Sequence, residues 1–362
     1  MHTLLVANRG EIARRVIRAA RGLGLRTVAV YTPPDAAAPH VADADLAVPL
    51  AEPGGYLDRA ALLAAAAAAG ADAVHPGYGF LAENADFAAA CLDAGLVWVG
   101  PAPEVIRRMG LKDEAKAVAR EAGVPVLADG GPAEGDYPVL VKAVAGGGGK
   151  GMRLVNSPAE MLAAVAAARR EAASAFGDDR VFWERYLPEA RHVEVQVFGD
   201  SHGNIVHLLE RECSIQRRHQ KIVEECPSPA VDTALRSRMG DTAVALAKSL
   251  GYTGAGTIEF LLDTDGSFWF LEMNTRLQVE HPVTEEVTGL DLVALQLRVA
   301  AGEPLPFGQA DVAARGHAIE VRLYAEDPAR DWAPTFGPLW TYAHRDLPGL
   351  RYEDGAGPEV ST

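Results

Sequence analysis

Two carboxylates, Glu259 and Glu272, are spaced so that a β-hairpin would bring them face to face. The dipeptide Asp265-Gly266 is typical of a two-residue hairpin turn, and pairing residues outward from it sets Glu259 opposite Glu272. Opposed carboxylates with Cβ atoms roughly 5 Å apart destabilise a sheet unless a cation lies between them. With the amide oxygen of Asn274 on the same face, these ligands suit Mg²⁺. The spacing therefore predicts a metal site, and a solvent-exposed hairpin face is the alternative.

The residues after Asn274 continue the same alternation, with Arg276, Gln278 and Glu280 at even positions. If the chain stays extended, these side chains share a face with the predicted metal site, because strand residues alternate between the two faces of a sheet. Arg276 can clamp an oxyanion with two hydrogen bonds, and Glu280 can act as a base beside it. A solvated strand is the alternative.

A glycine-rich run lies between two strand-like segments and carries Lys142 and Lys150 at its ends. Residues without a Cβ let backbone N–H groups approach phosphate oxygens closely, and the two lysines add positive charge. Ordering the consecutive glycines 146–149 costs conformational entropy. We therefore interpret the run as a lid that closes on a phosphate ligand, with a surface loop as the alternative.

Residues 211–221 form a basic segment within an acidic protein. Exposed surface charge is the usual explanation for such a segment. The glycine run and the carboxylate pair instead favour His219 and Lys221 facing a phosphate ligand. We interpret Cys213 as a small core residue rather than as a nucleophile.

Two further motifs match known signatures in letters only. Gly146, Gly148 and Gly151 fit the dinucleotide pattern G-x-G-x-x-G, but a strand-like segment follows where that motif needs a helix. The phosphate-loop pattern also fails, because Gly151 follows Lys150 in place of Ser or Thr. Ser201 lies in a G-x-S-x-G sequence, which marks a hydrolase only at a strand-to-helix turn. A strand-like segment follows Ser201, so we expect an exposed hairpin turn, with a serine hydrolase as the alternative.

The segments that must position these residues begin with an alternation of strands and helices. Strands are predicted over 4–7, 27–31, 73–75 and 97–99, and helices over 11–22 and 58–69. This alternation predicts βαβ units and a mostly parallel sheet up to residue 100. One helix is then predicted over 104–123.

The second half of the chain favours antiparallel pairing. Further strands are predicted over 138–144, 151–155, 192–198 and 205–209, followed by the hairpin of 257–274. Ser157 and Glu160 form a capping-box pattern, which predicts the start of an alanine-rich helix.

Composition restricts the partners and the compartment. Thirty-four Lys and Arg against 49 Asp and Glu give the 362 residues a net charge of −15, which disfavours binding to nucleic acid or to an anionic membrane. The longest apolar run, 60–69, is shorter than the ~20 residues of a membrane span. Three scattered cysteines and no leader before the first strand predict a cytoplasmic protein.

Five segments together resemble the biotin carboxylase component of biotin-dependent carboxylases, a member of the ATP-grasp superfamily. They are Ala-Asn-Arg-Gly-Glu-Ile-Ala at 7–13, His-Pro-Gly-Tyr-Gly-Phe-Leu-Ala-Glu-Asn at 75–84, the glycine run, the basic segment 211–221, and Glu-Met-Asn-Thr-Arg-Leu-Gln-Val-Glu-His-Pro-Val-Thr-Glu at 272–285. The resemblance implies ATP-dependent carboxylation of biotin by bicarbonate through carboxyphosphate, with Mg²⁺ or Mn²⁺ as the metal. Another ATP-grasp ligase and a nucleotide-binding protein without turnover are the alternatives.

The resemblance also implies a mixed α/β and α+β fold class. A parallel-sheet, Rossmann-like N-terminal domain is expected over 1–100, a linker over 101–115, and an ATP-grasp lid over 116–187. A C-terminal ATP-grasp domain is expected over 188–362 and is expected to be incomplete. Leu111, Ala145 and Arg185 depart from the residues usual at their positions in the family.

The resemblance further implies a role for each matching residue. The ATP-binding residues are Lys112, Lys142, Gly148, Gly149, Glu184, Arg185, Tyr186, Leu187, His192, Gln216, His219, Glu259 and Glu272. The metal ligands are Glu259, Glu272 and Asn274. The bicarbonate- and biotin-binding residues are Lys221, Arg276, Gln278, Val279, Glu280 and Arg322. Arg276, Glu280, Lys221 and Arg322 are the catalytic residues, with Glu280 as the base and Arg322 stabilising the biotin enolate.

The expected partners follow from a missing motif. None of the six Met residues is adjacent to a Lys, so the Met-Lys-Met biotinylation site is missing. The resemblance implies that biotin arrives on a carrier protein or domain, and that a carboxyltransferase subunit is the second partner. A homodimer is expected when the C-terminal domain is complete.

Overall fold

The computed structural model describes residues 1–51, 53–128, 132–133, 136–145 and 151–356. The N-terminal part contains a five-stranded parallel sheet in the order β3-β2-β1-β4-β5, which confirms the predicted fold class. Its strands are β1 (Thr3–Val6), β2 (Arg26–Tyr31), β3 (Leu46–Pro49), β4 (Ala73–His75) and β5 (Val97–Trp98). Helices α1 (Gly10–Gly22), α2 (Pro39–Asp43), α3 (Arg59–Ala69) and α4 (Ala85–Asp93) connect them.

The single helix predicted over 104–123 is wrong. Two helices, α5 (Pro103–Met109) and α6 (Lys112–Glu121), occupy this segment. Leu111 between them is extended and pairs with Ala145 in an isolated bridge, and the N–H of Lys112 donates to the carbonyl of Val144 at 3.2 Å. The bridge ties the start of α6 to the chain before the glycine run. The predicted linker 101–115 thus contains α5. The division of the chain into domains at residues 100, 115 and 187 stays a prediction.

A small antiparallel sheet has the order β7-β6-β8. It is formed by β6 (Val139–Ala143), β7 (Arg153–Val155) and β8 (Val181–Arg185). Residues 146–150, and with them Gly148, Gly149 and Lys150 of the predicted lid, lie outside the described residues. A strand, rather than a helix, follows Gly151, which confirms that the run is not a dinucleotide loop.

Helix α7 (Pro158–Phe176) begins at the predicted residue. The capping box that predicts it is wrong in detail, because the Ser157 hydroxyl does not accept a backbone N–H. It donates instead to the Glu160 carboxylate at 3.0 Å, which also accepts the N–H of Asn156 at 3.1 Å. The start of the helix is therefore stabilised one residue earlier than the pattern implies.

The largest sheet is antiparallel, as the second half of the sequence predicts, in the order β13-β12-β9-β10-β11-β14. Its strands are β9 (Arg191–Gly199), β10 (Ile205–Arg217), β11 (Gln220–Cys226), β12 (Gly254–Leu262), β13 (Phe268–Asn274) and β14 (Ala318–Val321). Strand β10 is longer than the predicted 205–209. Ser201 is exposed on the turn between β9 and β10, as predicted, which argues against a nucleophile elbow.

The β12–β13 hairpin confirms the pairing of Glu259 with Glu272, but its turn differs from the prediction. Residues 263–267 form the connection, and the N–H of Asp263 donates to the carbonyl of Ser267 at 2.8 Å. Leu262 then pairs with Phe268, one residue out of the expected register, and a bulge between Phe260 and Glu259 corrects the offset.

The extended chain predicted beyond Asn274 as far as Glu280 is wrong. Strand β13 ends at Asn274, and helix α9 (His281–Thr288) follows a short irregular segment. The carboxylate of Glu83 holds this segment to the N-terminal part, accepting the N–H of Thr275 at 3.2 Å and Nε of Arg276 at 2.7 Å.

Two apolar cores cover the large sheet. Helix α8 (Thr233–Ser249) shares one core with β9, including Met239, Leu246 and Val195. The other core joins the two large sheets through α1 and helix α10 (Leu292–Ala300), with Ile17 and Leu297 among its residues. The short strands β15 (Glu326–Asp327) and β16 (Ala333–Pro334) pair separately. None of the helices described is both long and apolar enough to cross a membrane.

Candidate active site

A cavity of about 650 Å³ lies where the small sheet, the large sheet and the loop after β4 meet. It brings together most of the predicted site residues. Those that line it are Lys112, Lys142, Glu184, Arg185, Tyr186, Leu187, His192, Gln216, His219, Lys221, Glu259, Glu272, Asn274, Arg276, Gln278, Val279 and Arg322. Glu280 is the one predicted site residue within the described part of the chain that does not line it.

Glu259 and Glu272 differ in their surroundings although they pair across two strands. Glu259 is 4% exposed, and Lys221 Nζ and His192 Nε2 lie 2.8 and 2.5 Å from its carboxylate oxygens. Burial acts to raise the pKa of Glu259, but Lys221 and His192 outweigh burial and hold the pKa well below its usual range. Burial and repulsion from Glu259 raise the pKa of Glu272, which Lys112 Nζ approaches to 3.9 Å.

The three predicted metal ligands fit a hard cation. Asn274 donates from Nδ2 to Glu259 at 2.8 Å and accepts from Arg276 at 3.0 Å through Oδ1. Two carboxylates and an amide oxygen on one cavity are the donors that Mg²⁺ prefers. Burial and repulsion from Glu259 raise the pKa of Glu272, and a cation between the two carboxylates would offset that repulsion.

Lys221 joins the predicted metal ligands to the predicted base. Its ammonium lies 2.5 Å from Glu194, 2.8 Å from Glu259 and 2.7 Å from Glu280. Burial acts to lower the pKa of Lys221, but these three carboxylates outweigh burial and raise the pKa well above its usual value. Lys221 therefore stays charged and holds the acidic side chains together.

Arg211 contacts this cluster from the protein interior and does not line the cavity. It is therefore not one of the exposed surface charges that the alternative interpretation of the basic segment expects. It is fully buried. Its guanidinium donates to Glu194 at 2.6 Å, to Gln196 at 2.8 Å, to Thr284 at 3.0 Å and to Thr257 at 3.1 Å. The basic segment thus divides into a buried support at Arg211 and cavity-facing residues near the turn between β10 and β11.

Glu280 is buried one hydrogen bond away from the cavity lining. It accepts from Lys221 at 2.7 Å and from Arg322 at 3.0 Å, and Arg322 also pairs with Glu224 at 2.5 Å. Burial acts to raise the pKa of Glu280, but Lys221, Arg211 and Arg322 outweigh burial and lower it. Glu280 is therefore an ionised carboxylate at neutral pH.

Arg276 and Gln278 lie beyond the end of β13, and their side chains together form a group of donors suited to an anion. Arg276 Nη1 donates to Gln278 Oε1 at 3.2 Å, and Glu83 holds Arg276 Nε at 2.7 Å. The buried Nε2 donor of Gln278 has no hydrogen-bond partner among the described residues. Because buried donors are normally paired, this free donor beside a guanidinium favours an oxyanion ligand.

Comparison with known proteins identifies relatives of this chain over almost its whole length. Residues 1–106 match the family model described as biotin carboxylase, N-terminal domain, and residues 131–307 match the ATP binding domain of the carbamoyl-phosphate synthase L chain. The chain is 50% identical over 365 residues to biotin carboxylase of Nostoc sp., which covers 97% of this chain and 82% of that protein. The chain belongs to the biotin carboxylase family. Its ATP-binding part is of the ATP-grasp type.

Two further relatives of this biotin carboxylase family member extend the comparison. The mitochondrial methylcrotonoyl-CoA carboxylase subunit alpha of Oryza sativa is 52% identical over 371 residues, which cover 97% of this chain and 50% of that protein. The chain thus spans about half the length of that relative. The biotin carboxylase domain dimer of Hydrogenobacter thermophilus 2-oxoglutarate carboxylase, solved with MgADP, ADP and bicarbonate, superposes with a TM-score of 0.95. It is 43% identical, over 99% of this chain and 83% of that one.

Sequence reasoning missed the residues that hold this biotin carboxylase site in place. Glu83, Glu194 and Glu224 fix Arg276, Lys221 and Arg322 respectively. Glu83 lies in the 75–84 segment that carries the resemblance, but nothing local relates it to a residue almost 200 positions away. Glu194 lies on the polar side of an alternating strand, which alone suggests an exposed face, and Glu224 lies in a strand without such alternation.

Cys213 behaves as the sequence predicts. It is fully buried on β10, and burial together with repulsion from Glu194 raises the pKa of its thiol well above the usual value. A nucleophilic cysteine needs a lowered pKa. The biotin carboxylase site therefore contains no activated thiol at this position.

Proposed function

We propose that this chain catalyses the ATP-dependent carboxylation of biotin by bicarbonate. One observation carries the proposal: a single cavity is lined by lysines suited to phosphates, by opposed carboxylates suited to Mg²⁺, and by the Arg276 and Gln278 donors suited to an oxyanion. Family membership and the relatives' names support the same reaction. Arg322, bonded to the ionised Glu280 at the cavity edge, is the feature that favours this reaction over that of another ATP-grasp ligase.

Bicarbonate is a poor electrophile, so the first proposed step activates it. Arg276 and the free Nε2 donor of Gln278 orient the anion. Glu280, an ionised carboxylate bonded to the lining residues Lys221 and Arg322, is the proposed acceptor of the bicarbonate proton. The bicarbonate oxygen bonds to the γ-phosphorus of ATP while the bond from that phosphorus to ADP breaks. The product is carboxyphosphate, whose carbon is open to attack.

In the second proposed step, biotin attacks carboxyphosphate. The ureido nitrogen gives its proton to the departing phosphate and bonds to the carboxyl carbon, while the bond from that carbon to phosphate breaks. Arg322 lies 3.0 Å from Glu280 and lines the cavity, so its charge can stabilise the enolate oxygen of biotin. Burial acts to lower the pKa of Arg322, but Glu280 and Glu224 outweigh burial and raise it, which keeps this charge in place.

Glu259, Glu272 and Asn274 are the residues that would hold Mg²⁺. When bound, the ion neutralises the phosphate oxygens of ATP and so favours transfer of the terminal phosphoryl group. Its presence would also relieve the repulsion that raises the pKa of Glu272. His192 and Lys221 already neutralise Glu259. We therefore expect Mg²⁺ binding to depend more on the charge of Glu272 than on that of Glu259.

Glu272→Gln tests this assignment, because it preserves size and removes one charge. Two unit charges 4 Å apart attract by about 4 kcal/mol at an effective dielectric constant of about 20. We therefore expect the Mg²⁺ concentration for half-maximal ADP release to rise about tenfold or more, which needs only about 1.4 kcal/mol. The matched control is Glu303→Gln at an exposed position. An unchanged Mg²⁺ requirement together with normal turnover would remove Glu272 from the metal site.

The proposed reaction is tested by ADP release from the purified chain. We expect release to require bicarbonate and to increase when free biotin is added, because biotin consumes carboxyphosphate. Release that ignores both bicarbonate and biotin would contradict the proposal. Tight Mg·ATP binding without turnover would instead favour a nucleotide-binding protein.

The partners follow from the same reaction. We propose a biotinylated carrier protein or domain as the donor of biotin, and a carboxyltransferase subunit as the acceptor of the carboxyl group. A homodimer is proposed from the dimeric relative, and no nucleic acid or membrane partner is expected at a net charge of −15. A cytoplasmic location is consistent with three buried, unpaired cysteines.

A further inference from the structure

The carboxylate of Glu184, at the end of β8, is paired with two lysines from different elements. Lys116 of α6 donates to Oε1 at 2.8 Å, and Lys142 of β6 pairs with Oε2. Glu184 is 2% exposed. Burial acts to raise its pKa, but Lys142 and Lys116 outweigh burial and lower it. Among the described residues, these two ammonium groups are the charges that hold Glu184 ionised.

The two lysines are not equivalent. Lys142 lines the cavity next to the glycine run, whereas Lys116 is outside the lining and only 1% exposed. Lys116 also lies 5.2 Å from the ring centre of Phe182, two residues before Glu184 on the same strand. Lys142 can therefore reach a ligand in the cavity, and Lys116 cannot leave its position without breaking buried contacts.

This difference matters when a phosphate ligand arrives. A phosphate oxygen that binds Lys142 shares the charge of its ammonium with Glu184, and this sharing weakens the pair between Lys142 and Glu184. Removing a partner from a buried carboxylate is strongly destabilising when no second cation compensates the charge. Lys116 supplies that second cation from a position that the ligand does not disturb.

We propose that Lys116 is a positioning residue that keeps Glu184 neutralised while Lys142 shares its charge between Glu184 and a phosphate of the nucleotide. This inference rests on the proposed function, because it needs the cavity to bind a nucleotide. It assigns Lys116 no contact with the ligand. Its effect passes entirely through Glu184 and Lys142.

Lys116→Met tests the inference by removing the charge and retaining a long apolar side chain. In this variant Lys142 is the remaining described cation for Glu184, so a bound phosphate and the buried carboxylate compete for the charge of one ammonium. We expect the affinity for Mg·ADP, measured by titration calorimetry, to fall about tenfold or more. The affinity for adenosine, which has no phosphate, should stay within about threefold of the unaltered chain, since the expected loss arises at the phosphates.

The pH dependence separates this role from a merely structural one. Loss of one cation raises the pKa of Glu184 in Lys116→Met, and a protonated Glu184 no longer needs Lys142. The deficit in Mg·ADP affinity relative to the unaltered chain should therefore shrink as the pH falls. Taking the ratio at each pH cancels the titration of the phosphates themselves.

A second variant keeps the test decisive if Lys116→Met alone folds poorly. In Lys116→Met/Glu184→Gln the buried charge is gone, so Mg·ADP affinity should return to that of Glu184→Gln alone. Lys248→Met, at an exposed lysine of α8, is the matched control and should bind like the unaltered chain.

Three results would overturn the inference. Lys116→Met could bind Mg·ADP normally at every pH, or it could lose Mg·ADP and adenosine equally with no pH dependence. The double variant could also stay as weak as Lys116→Met. Failure of the unaltered chain to bind Mg·ADP would be a different outcome, because it would refute the nucleotide site itself and the inference with it.

Discussion

Glu280→Gln is expected to reduce bicarbonate-dependent ADP release by about 100-fold or more, the usual scale for loss of a general base. Glutamine keeps the size of the side chain and one of the two acceptor oxygens, so it can accept from Lys221 or from Arg322. It cannot take a proton. Mg·ADP affinity should stay within a few-fold, because Glu280 does not line the cavity. Steady-state ADP release and calorimetry on the same preparation measure both quantities.

The surroundings of Glu280 make this substitution informative. Lys221 keeps Glu194 and Glu259 as partners, and Arg322 keeps Glu224, so neither cation is left unpaired. Glu286→Gln, on the helix α9 that follows Glu280 and at a side chain that is 54% exposed, is the matched control and should retain full activity. Normal turnover in Glu280→Gln would exclude Glu280 as the base.

The opposed glutamates show how far local patterns reach. The pairing of Glu259 with Glu272 is predicted from a two-residue turn, but the structure has a longer turn and a compensating bulge. Next to the bulge, the N–H of Phe270 donates to the carbonyl of Pro125 at 2.7 Å instead of to β12. A contact from another segment thus sets the register, and no pattern within the hairpin contains that information.

The same limit explains the errors in secondary structure. The four strands and two helices predicted for the N-terminal part begin and end within a residue or two of the observed elements, whereas β3, α2 and α4 are not predicted. The break before α6 and the end of β13 do not follow the periodicity. At these two places the backbone bonds to distant residues, Ala145 and Glu83. Hydrophobic periodicity indicates which face of an element is buried, but it does not indicate which residue will hydrogen-bond to a particular backbone group.

Buried charged side chains are a second feature that sequence patterns do not predict. Lys116 and Arg211 are of the same types as many exposed residues, and they are missed as supports because burial of a charge depends on partners brought by the fold. The residues that line the cavity were easier to predict, some of them from their types and spacing and the others from the family resemblance. The supporting residues became visible only through distances.

Arg211→Met is expected to lower the free energy of unfolding by about 3–5 kcal/mol, the range observed when one partner of a buried ion pair is removed. Methionine approximates the length of the side chain but satisfies none of its four hydrogen bonds. Glu194, fully buried, then depends on Lys221 alone among its described cation partners. Urea denaturation followed by circular dichroism measures the loss as a lower midpoint.

The companion variant Arg211→Met/Glu194→Gln identifies the cause of that loss. If the unpaired carboxylate is responsible, removing its charge should recover part of the stability, because a neutral amide is less costly to bury than an ionised group. Lost packing alone would make the double variant as unstable as Arg211→Met or worse. Arg26→Met, at an exposed arginine of β2, controls for the substitution and should change stability by no more than about 0.5 kcal/mol. Recovery in the double variant would identify Arg211 as the charge that allows Glu194 to hold Lys221 between the predicted metal ligands and the predicted base.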